Sequence, residues 1–465
     1  MRIQEICCIG AGFVGGPTMA VIAHECPEIR VTVVDSDIEK IKAWNSLDLN
    51  NLPVYEPGLK EILKKTRNKN LFFNSDIDSA IIKAQMIFLA VNTPTKKDGK
   101  GKGYAADLTN IVKCSKRIAK VSNESKIIVE KSTLPVRTAE KIKQVLKSNS
   151  TGVTFEVLSN PEFLAEGTAI EDLYKSDRVL IGSDNTKNGM NALNSLTSIY
   201  EKWIPKNKIL KTSVWSAELS KLASNAMLAQ RISSINSLSA LCEKSGASIE
   251  EVSKAIGMDK RIGNDFLKSS PGFGGSCFQK DILNLVYLCR NYDLHEVANY
   301  WEEVVKINDY QKNRFSNRVI EYFDNKLIAK RIAIMGWSFK KNTNDSRESA
   351  SIYICRDLLI KGAIINIYDP MVPPKRIISD IKNILLLNNI KGHLLKELIS
   401  NIFIFKNIGD SLKLTEAILI LTEWDEFKSY NWKKFIQNST TNVRIFDSRN
   451  IIDKSIAQNI YSIGS

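Results

Sequence analysis

The chain has 465 residues, 43% of them hydrophobic, which gives room for two or three packed domains. No apolar run is long enough to cross a bilayer, so a membrane partner is not expected. The net charge of +14 comes from basic residues spread along the chain, with no basic arm and no interleaved aromatics; a lysine-rich surface or an anionic small substrate fits it better than nucleic acid.

Eight cysteines stand at positions 7, 8, 26, 114, 242, 277, 289 and 355, with no Cys-x-x-Cys pair. That spacing is neither a disulfide framework nor a zinc ribbon. His24, His295 and His393 have no metal-ligand spacing, and no metal site is expected. The N-terminus enters a strand almost at once, with Glu5 interrupting any signal-like core, so the expected compartment is the cytosol.

In chain order, a strand at Ile6 to Ile9 leads into Gly10-Ala-Gly12-Phe13-Val14-Gly15, then a helix from about Pro17 to His24. A second strand, Arg30 to Val34, ends at Asp35. Gly10 suits a tight turn, Gly12 a close approach to a pyrophosphate, and Gly15 close helix–strand packing. The helix N-terminus then faces the phosphates. Asp35 can accept from ribose hydroxyls and repels a 2′-phosphate, which favours NAD over NADP.

Strands at Met86 to Val91 and Lys126 to Val129 end in Asn92-Thr93-Pro94-Thr95 and Glu130-Lys131-Ser132-Thr133. Open parallel sheets bind ligands at such strand ends, although Ser and Thr there also suit helix caps. A strand at Phe155 to Leu158 precedes Asn160-Pro161-Glu162, and Glu162 and Glu166 share a direction if that segment is helical. Glu162 is a candidate general base or an ordinary solvated turn residue. Trp215 to Lys244 reads as one helix of roughly 45 Å. Glu218, Lys221 and Asn225 lie along one side of it, either to hold an oxygen-rich ligand or as an exposed polar face. Arg261, in the segment that follows, is a candidate for an anion.

The stretch Pro271 to Asp281 sets three glycines before Cys277 and places Lys280 and Asp281 after it. Glycines let the backbone close on a ligand, and a lysine favours the reactive thiolate. A lone cysteine is also commonly a small buried apolar residue. From Arg331 the chain repeats a βαβ layout, with strands at Arg331 to Met335, Ile364 to Tyr368, Ala417 to Leu421 and Arg444 to Phe446. A helix is expected at Ser349 to Lys361, and a short polar tail after Ile452. The triple-glycine signature is absent from this half, and the charged turns at Lys340, Arg347 and Arg449 suit phosphates or a plain charged surface.

Taken together, these motifs resemble the UDP-glucose/GDP-mannose dehydrogenase family, close to its animal-type members acting on UDP-glucose. The segments that carry the resemblance are Ile9 to Thr18, Val91 to Thr95, Glu130 to Thr133, Asn160 to Gly167, Glu218 to Asn225 and Gly272 to Asp281. It implies two Rossmann-like domains with doubly wound parallel sheets, joined by a long central helix in an all-α middle region. The implied boundaries are 1–212 for the NAD domain, 213–325 for the helical dimerisation region with the catalytic loop, and 326–465 for the UDP-sugar domain.

The resemblance also assigns roles. Cys277 would be the nucleophile and Glu162 the acid/base, with Thr133, Lys221, Asn225 and Asp281 around the reacting carbon. NAD would meet Gly10, Gly12, Phe13, Val14, Gly15, Asp35, Lys40, Val91, Asn92, Thr93, Pro94, Thr95, Ser132, Thr133, Glu166 and Arg347. UDP-glucose would meet Glu162, Phe163, Leu164, Ala165, Glu166, Lys221, Asn225, Lys268, Phe273, Gly274, Phe278, Phe339, Lys340 and Arg449, with Arg261 reaching the site of a neighbouring subunit. The implied reaction is a four-electron oxidation to UDP-glucuronate through a cysteine thiohemiacetal and thioester, with two NADH per turnover. The implied assembly is a homo-oligomer, a dimer on the central helix built up into hexamers. GDP-mannose and UDP-N-acetylhexosamines are the alternative substrates.

The chain departs from the animal pattern in places. Lys40 replaces an arginine and lacks its planar fork. Trp337-Ser338 replaces a smaller or apolar pair. The stretch Asn45 to Pro53 is longer, Pro373 to Lys413 matches poorly, and the long C-terminal tail of the animal members has no counterpart.

Overall fold

The alternation of side chains along the strands decides the architecture. The computed structural model describes residues 2–150, 152–439 and 443–465; Met1, with which the first expected domain opens, and residues 151 and 440–442 lie outside the described residues. In β1 (Glu5–Ile9), Ile6 and Cys8 join one apolar cluster while Cys7 and Ile9 join another. β2 (Arg30–Val34), β3 (Leu71–Asn74), β4 (Met86–Leu89) and β5 (Lys126–Glu130) continue the sheet, and Met86 and Phe88 part from Ile87 and Leu89 in the same way. A period of two with both faces apolar demands helices on both sides.

β6 (Phe155–Ser159), β7 (Val179–Ser183) and β8 (Ile209–Ser213) complete an eight-stranded sheet in the order β3-β2-β1-β4-β5-β6-β7-β8. Every pairing is parallel except β6 with β7. The order reverses between β1 and β4, the place where such sheets open a ligand crevice.

The second sheet holds β9 (Arg331–Met335), β10 (Ile364–Tyr368), β11 (Ile402–Ile404), β12 (Ala417–Ile420), β13 (Arg444–Asp447) and β14 (Ile460–Ser462). It is all parallel, in the order β11-β10-β9-β12-β13-β14, which is the same winding as the first six strands. The expected polar tail after Ile452 is therefore corrected: Ile460–Ser462 is an edge strand paired with β13, with Ile463 in the core.

Between the sheets in sequence runs helix Val214–Ser245, 32 residues without a break, followed by helices Ile249–Gly257, Phe278–Asn291 and His295–Tyr322. The chain forms two compact units, Met1–Ser224 with Leu283–Leu294, and Asn225–Ile282 with His295–Ser465. Among the described residues, no helix is long and apolar enough to cross a membrane.

One buried carboxylate ties the chain's last strand to the long helix. Glu243 pairs with Arg314 at 2.9 Å and Arg318 at 2.8 Å, and accepts from the Tyr461 hydroxyl at 2.6 Å and Gly464 N at 2.9 Å. Removing it leaves the partly buried Arg314 and Arg318 without their carboxylate, and the Tyr461 hydroxyl and Gly464 N without their acceptor. Glu243→Ala is expected to destabilise the chain by about 3 kcal/mol, read as an earlier urea midpoint at unchanged slope.

Candidate active site

The first turn after β1 is shaped by its glycines. Gly10 has φ +116°, and a Cβ there would lie 2.3 Å from Ala90 O. A Cβ on Gly15 would lie 2.0 Å from Gly10 O, so only glycine lets the helix pack this close. At Gly12 a Cβ would meet no atom within 4 Å, which leaves open space where a pyrophosphate approaches the backbone. Helix Gly15–Glu25 begins beyond half-buried Phe13 and Val14, and no side chain caps it. Asp35 accepts from Ala11 N at 2.9 Å, Asp37 N at 3.0 Å and Lys40 Nζ at 2.9 Å. Burial pushes its carboxyl upward, but these donors outweigh burial and hold it below the usual range. These residues fit NAD. Lys40 keeps the charge expected of it and spends it on Asp35.

The loops after β4 and β5 are laced together at the sheet's reversal. Ser132 Oγ donates to Leu89 O at 3.2 Å and Val91 O at 2.7 Å, and Thr93 Oγ1 donates to Thr133 O at 3.0 Å. Asn92 and Pro94 are exposed beside them, and Thr95 bridges to Ala106.

The segment from Asn160 to Glu166 is not helical, so the expected helical alignment of Glu162 with Glu166 is corrected. Pro161 has no N–H for a helical ladder, and the buried Asn160 is held by its own side chain on Leu180 O. The segment turns only at Glu166 and Gly167, where Gly167 N and Ala169 N donate to the buried Glu56 at 2.8 and 3.0 Å. Ala165 N is held by Asp172 at 2.7 Å, and Leu164 packs on the core. Glu162 instead pairs with Lys131 at 2.8 Å. Phe163 presents its ring to Arg178 at 4.0 Å and to Lys221 at 5.3 Å. Arg178 and Glu56 had no place in the sequence reading, and Lys131 entered it only as part of the polar cluster that ends its strand; a cation or acid whose partner is distant in the chain leaves no local spacing to find.

Glu218, Lys221 and Asn225 are all buried, which corrects the reading as an exposed polar face. Glu218 is a helix cap: its oxygens accept from Arg137 N at 2.7 Å and Ala139 N at 2.8 Å, at the start of helix Thr138–Asn149. Beside it Glu130 is wholly buried and neither of its oxygens finds a donor. Burial and the Glu218 carboxylate push Glu130 well above the ordinary value.

In the second unit, Asn225 Nδ2 donates to the buried Asp281 Oδ2 at 2.6 Å, with Lys280 Nζ 3.6 Å from Oδ1. Asp281 N donates to Cys277 O at 2.9 Å, so Cys277 stands at the start of helix Phe278–Asn291, where a helix's partial positive charge favours a thiolate. Cys277 is the one exposed cysteine of the eight; Cys8 and Cys26 are buried, and burial pushes each thiol up to about 12. The preceding loop is pinned by Phe273 N to Asn308 Oδ1 at 2.7 Å and Gln311 Nε2 to Ser270 O at 2.8 Å. Phe273 and Phe278 meet edge to face at 5.8 Å.

The same loop meets the first turns of the second sheet. Gly275 N donates to Arg347 O at 2.8 Å, and a Cβ on Gly274 would lie 2.6 Å from Glu348 O and 2.9 Å from Phe339 Cβ. Arg449 donates to Leu421 O at 2.8 Å and Phe339 O at 3.2 Å, while Lys340 Nζ lies 5.7 Å from the Phe339 ring centre. The Arg347 guanidinium is forked onto Asp345. Gly336 repeats the left-handed turn of Gly10 at φ +98°. The buried Trp337 and Ser338 then follow where Ala11 and the open Gly12 stand in the first domain. Trp337 N and Ser338 N both donate to Asp369. That turn is closed to a dinucleotide. Arg261 lies apart on an exposed turn, paired with Asp259 at 2.6 Å, and Lys268 is exposed.

Three family models cover this chain: the UDP-glucose/GDP-mannose dehydrogenase NAD binding domain over residues 4–204, the central domain over 215–310, and the UDP binding domain over 333–454. The chain belongs to the UDP-glucose/GDP-mannose dehydrogenase family. It is an oxidoreductase, and its cofactor is NAD. It is 53% identical over 455 residues to the UDP-glucose 6-dehydrogenase of Mus musculus, covering 97% of this chain and 90% of the relative. It is 50% identical over 471 residues to UDP-glucose 6-dehydrogenase 1 of Arabidopsis thaliana, covering 99% and 97%. The solved UDP-glucose dehydrogenase of Pyrobaculum islandicum superposes with a TM-score of 0.83 at 26% identity, covering 100% and 98%.

The buried Glu130–Glu218 pair makes this dehydrogenase's stability depend on pH. An ordinary glutamate titrates near 4.5. Because folding raises Glu130 above that, its contribution is fully present below 4.5 and is lost as pH rises toward the folded value. Glu130→Gln offers a donor to Glu218 and removes the titration. Its melting temperature is expected to match the parent's near pH 4.5 and to exceed it by a growing margin as pH rises above that, measured by scanning calorimetry.

Proposed function

We propose that the enzyme oxidises C6 of UDP-glucose twice, to UDP-glucuronate, with Cys277 holding the half-oxidised sugar. The observation that carries this reading is the exposed thiol between a glycine loop and a helix start, in a chain matched nearly end to end by UDP-glucose 6-dehydrogenases. NAD supplies the hydride acceptor for both oxidations.

Glu162 takes the proton of the sugar hydroxyl as the first hydride leaves C6. The Cys277 thiolate adds to the resulting aldehyde, forming a C–S bond and a thiohemiacetal that still carries a hydride. Loss of that hydride leaves a thioester. Asp281 or Glu162 then orients water onto the acyl carbon, the C–S bond breaks, and the thiolate returns. Lys221 and Asn225 stabilise oxygen charge as it develops at C6, and Thr133 orders the water. Phe163 to Glu166, Lys268, Phe273, Gly274, Phe278, Phe339, Lys340 and Arg449 hold the UDP-sugar.

The assembly in this reading is a homodimer on helix Val214–Ser245, built up into hexamers. Met227, Leu238 and Leu241 are exposed along one stripe of that helix, which supports it. Arg261, its side chain 90% exposed, would reach a neighbouring subunit's substrate. None of the eight cysteines forms a disulfide, which suits a reducing cytosol.

Cys277→Ser is expected to bind NAD and UDP-glucose by calorimetry yet release no UDP-glucuronate, while the parent forms two NADH per UDP-glucose consumed. Parental acid release by the variant, or one NADH per sugar in the parent, contradicts the reading. For the shared site, mixing the inactive Arg261→Ala and Cys277→Ser chains under exchange is expected to restore activity. No recovery after exchange is verified by mass would place Arg261 outside the neighbouring site.

A further inference from the structure

Lys131 follows β5 directly and turns its side chain inward, leaving 3% exposed. An ammonium has three protons to donate, and here it finds three acceptors. They are Glu162 Oε2 at 2.8 Å, Asn160 Oδ1 at 3.1 Å and the Tyr200 hydroxyl at 3.1 Å. The acceptors are themselves fixed. Tyr200 donates to Asn160 Oδ1 at 2.7 Å, and Asn160 Nδ2 donates to Leu180 O at 2.8 Å on β7. Burial works against this ammonium, but the Glu162 carboxylate and Tyr200 outweigh it and raise its pKa, so Lys131 stays charged. A fixed charge of this kind does not pass protons along; it holds its partner still.

Glu162 needs such a partner. Its segment is not helical, so the backbone gives its side chain no helical neighbour. Its Oε1 accepts from Phe163 N at 2.9 Å. Its Oε2 faces Lys131, with Thr18 Oγ1 at 3.5 Å. Both oxygens are thereby located, one by backbone and one by a buried cation.

We infer that Lys131 is a positioning residue for Glu162, its ammonium clamping the carboxylate in the one orientation from which it takes a proton off the substrate hydroxyl. This rests on Glu162 being the base. A misplaced base of this kind costs about 100-fold in rate. In the full-length chain, Lys131→Met is therefore expected to lower kcat about 100-fold while KM for UDP-glucose and for NAD stay near parental. Lys131→Arg, which keeps the charge, is expected to recover part of the loss.

Parental kcat in Lys131→Met overturns the inference, as does an equal fall in both variants accompanied by a rise in KM, the pattern of a merely structural lysine. Should Lys131→Met fail to fold, Tyr200→Phe deletes one of the three acceptors and leaves the charge. A severalfold fall in kcat at unchanged KM then supports the clamp, and parental kcat overturns it. Glu162→Gln separates the two claims. If it turns over normally, Glu162 is not the base. If it is inactive while Lys131→Met is unimpaired, only the clamp fails.

Discussion

A loop made of glycines has almost no side chains with which to hold itself, yet it must present Cys277 in one place. The second unit solves this by lending side chains from elsewhere. Asn308 clamps both backbone groups of Phe273, at 2.7 and 3.1 Å. Gln311 takes Ser270 O, Asn236 takes Ser270 N, and the Arg347 carbonyl takes Gly275 N. The glycines then give what bulkier residues could not: φ of +126° at Gly272 and +85° at Gly275, and contact with Glu348 and Phe339 too close for a Cβ. Rigidity imposed from outside on a permissive backbone brings the Cys277 thiol to the surface beside a helix start.

The first unit follows the same logic with charge. Polar groups at the carboxyl ends of β2, β5 and β6 are each backed by a polar partner from elsewhere in the chain. Lys40 backs Asp35, Lys131 backs Glu162, and the helix cap Glu218 raises the pKa of the buried Glu130. Buried charge is costly unless paired, so these pairs hold the strand ends in register as they tune them. The two sheets share a winding order, but the turn after β1 is open at Gly12 while the turn after β9 is filled by Trp337 and sealed on Asp369. One topology thus serves a dinucleotide in one domain and not in the other.

Much of this was readable from the chain. Strands such as Arg30–Val34 and Ile364–Tyr368 carry their apolar alternation in the residues themselves, and the cluster around Cys277 is contiguous in sequence. The unread parts share a cause. β8 is an edge strand with mostly exposed residues, β11 and β14 have three residues each, and β7 has only three apolar residues before Gly182. The three-residue strands are too short to display a period, and β7 and β8 have too few apolar residues in alternation to display one. In the site, Tyr200 lies 69 residues from Lys131, and Asn308 lies 35 from Phe273. Such partners are chosen by the fold, and no local pattern announces them.

The central claim is that one sulfur carries the sugar between its two oxidations. The direct measurement is rapid acid quench of the enzyme turning over UDP-glucose and NAD, followed by mass analysis of its peptides. A UDP-glucuronyl thioester on the peptide containing Cys277, absent when either substrate is withheld, is the predicted result. Turnover at full rate with that peptide unmodified, or with the adduct on another residue, would contradict the account.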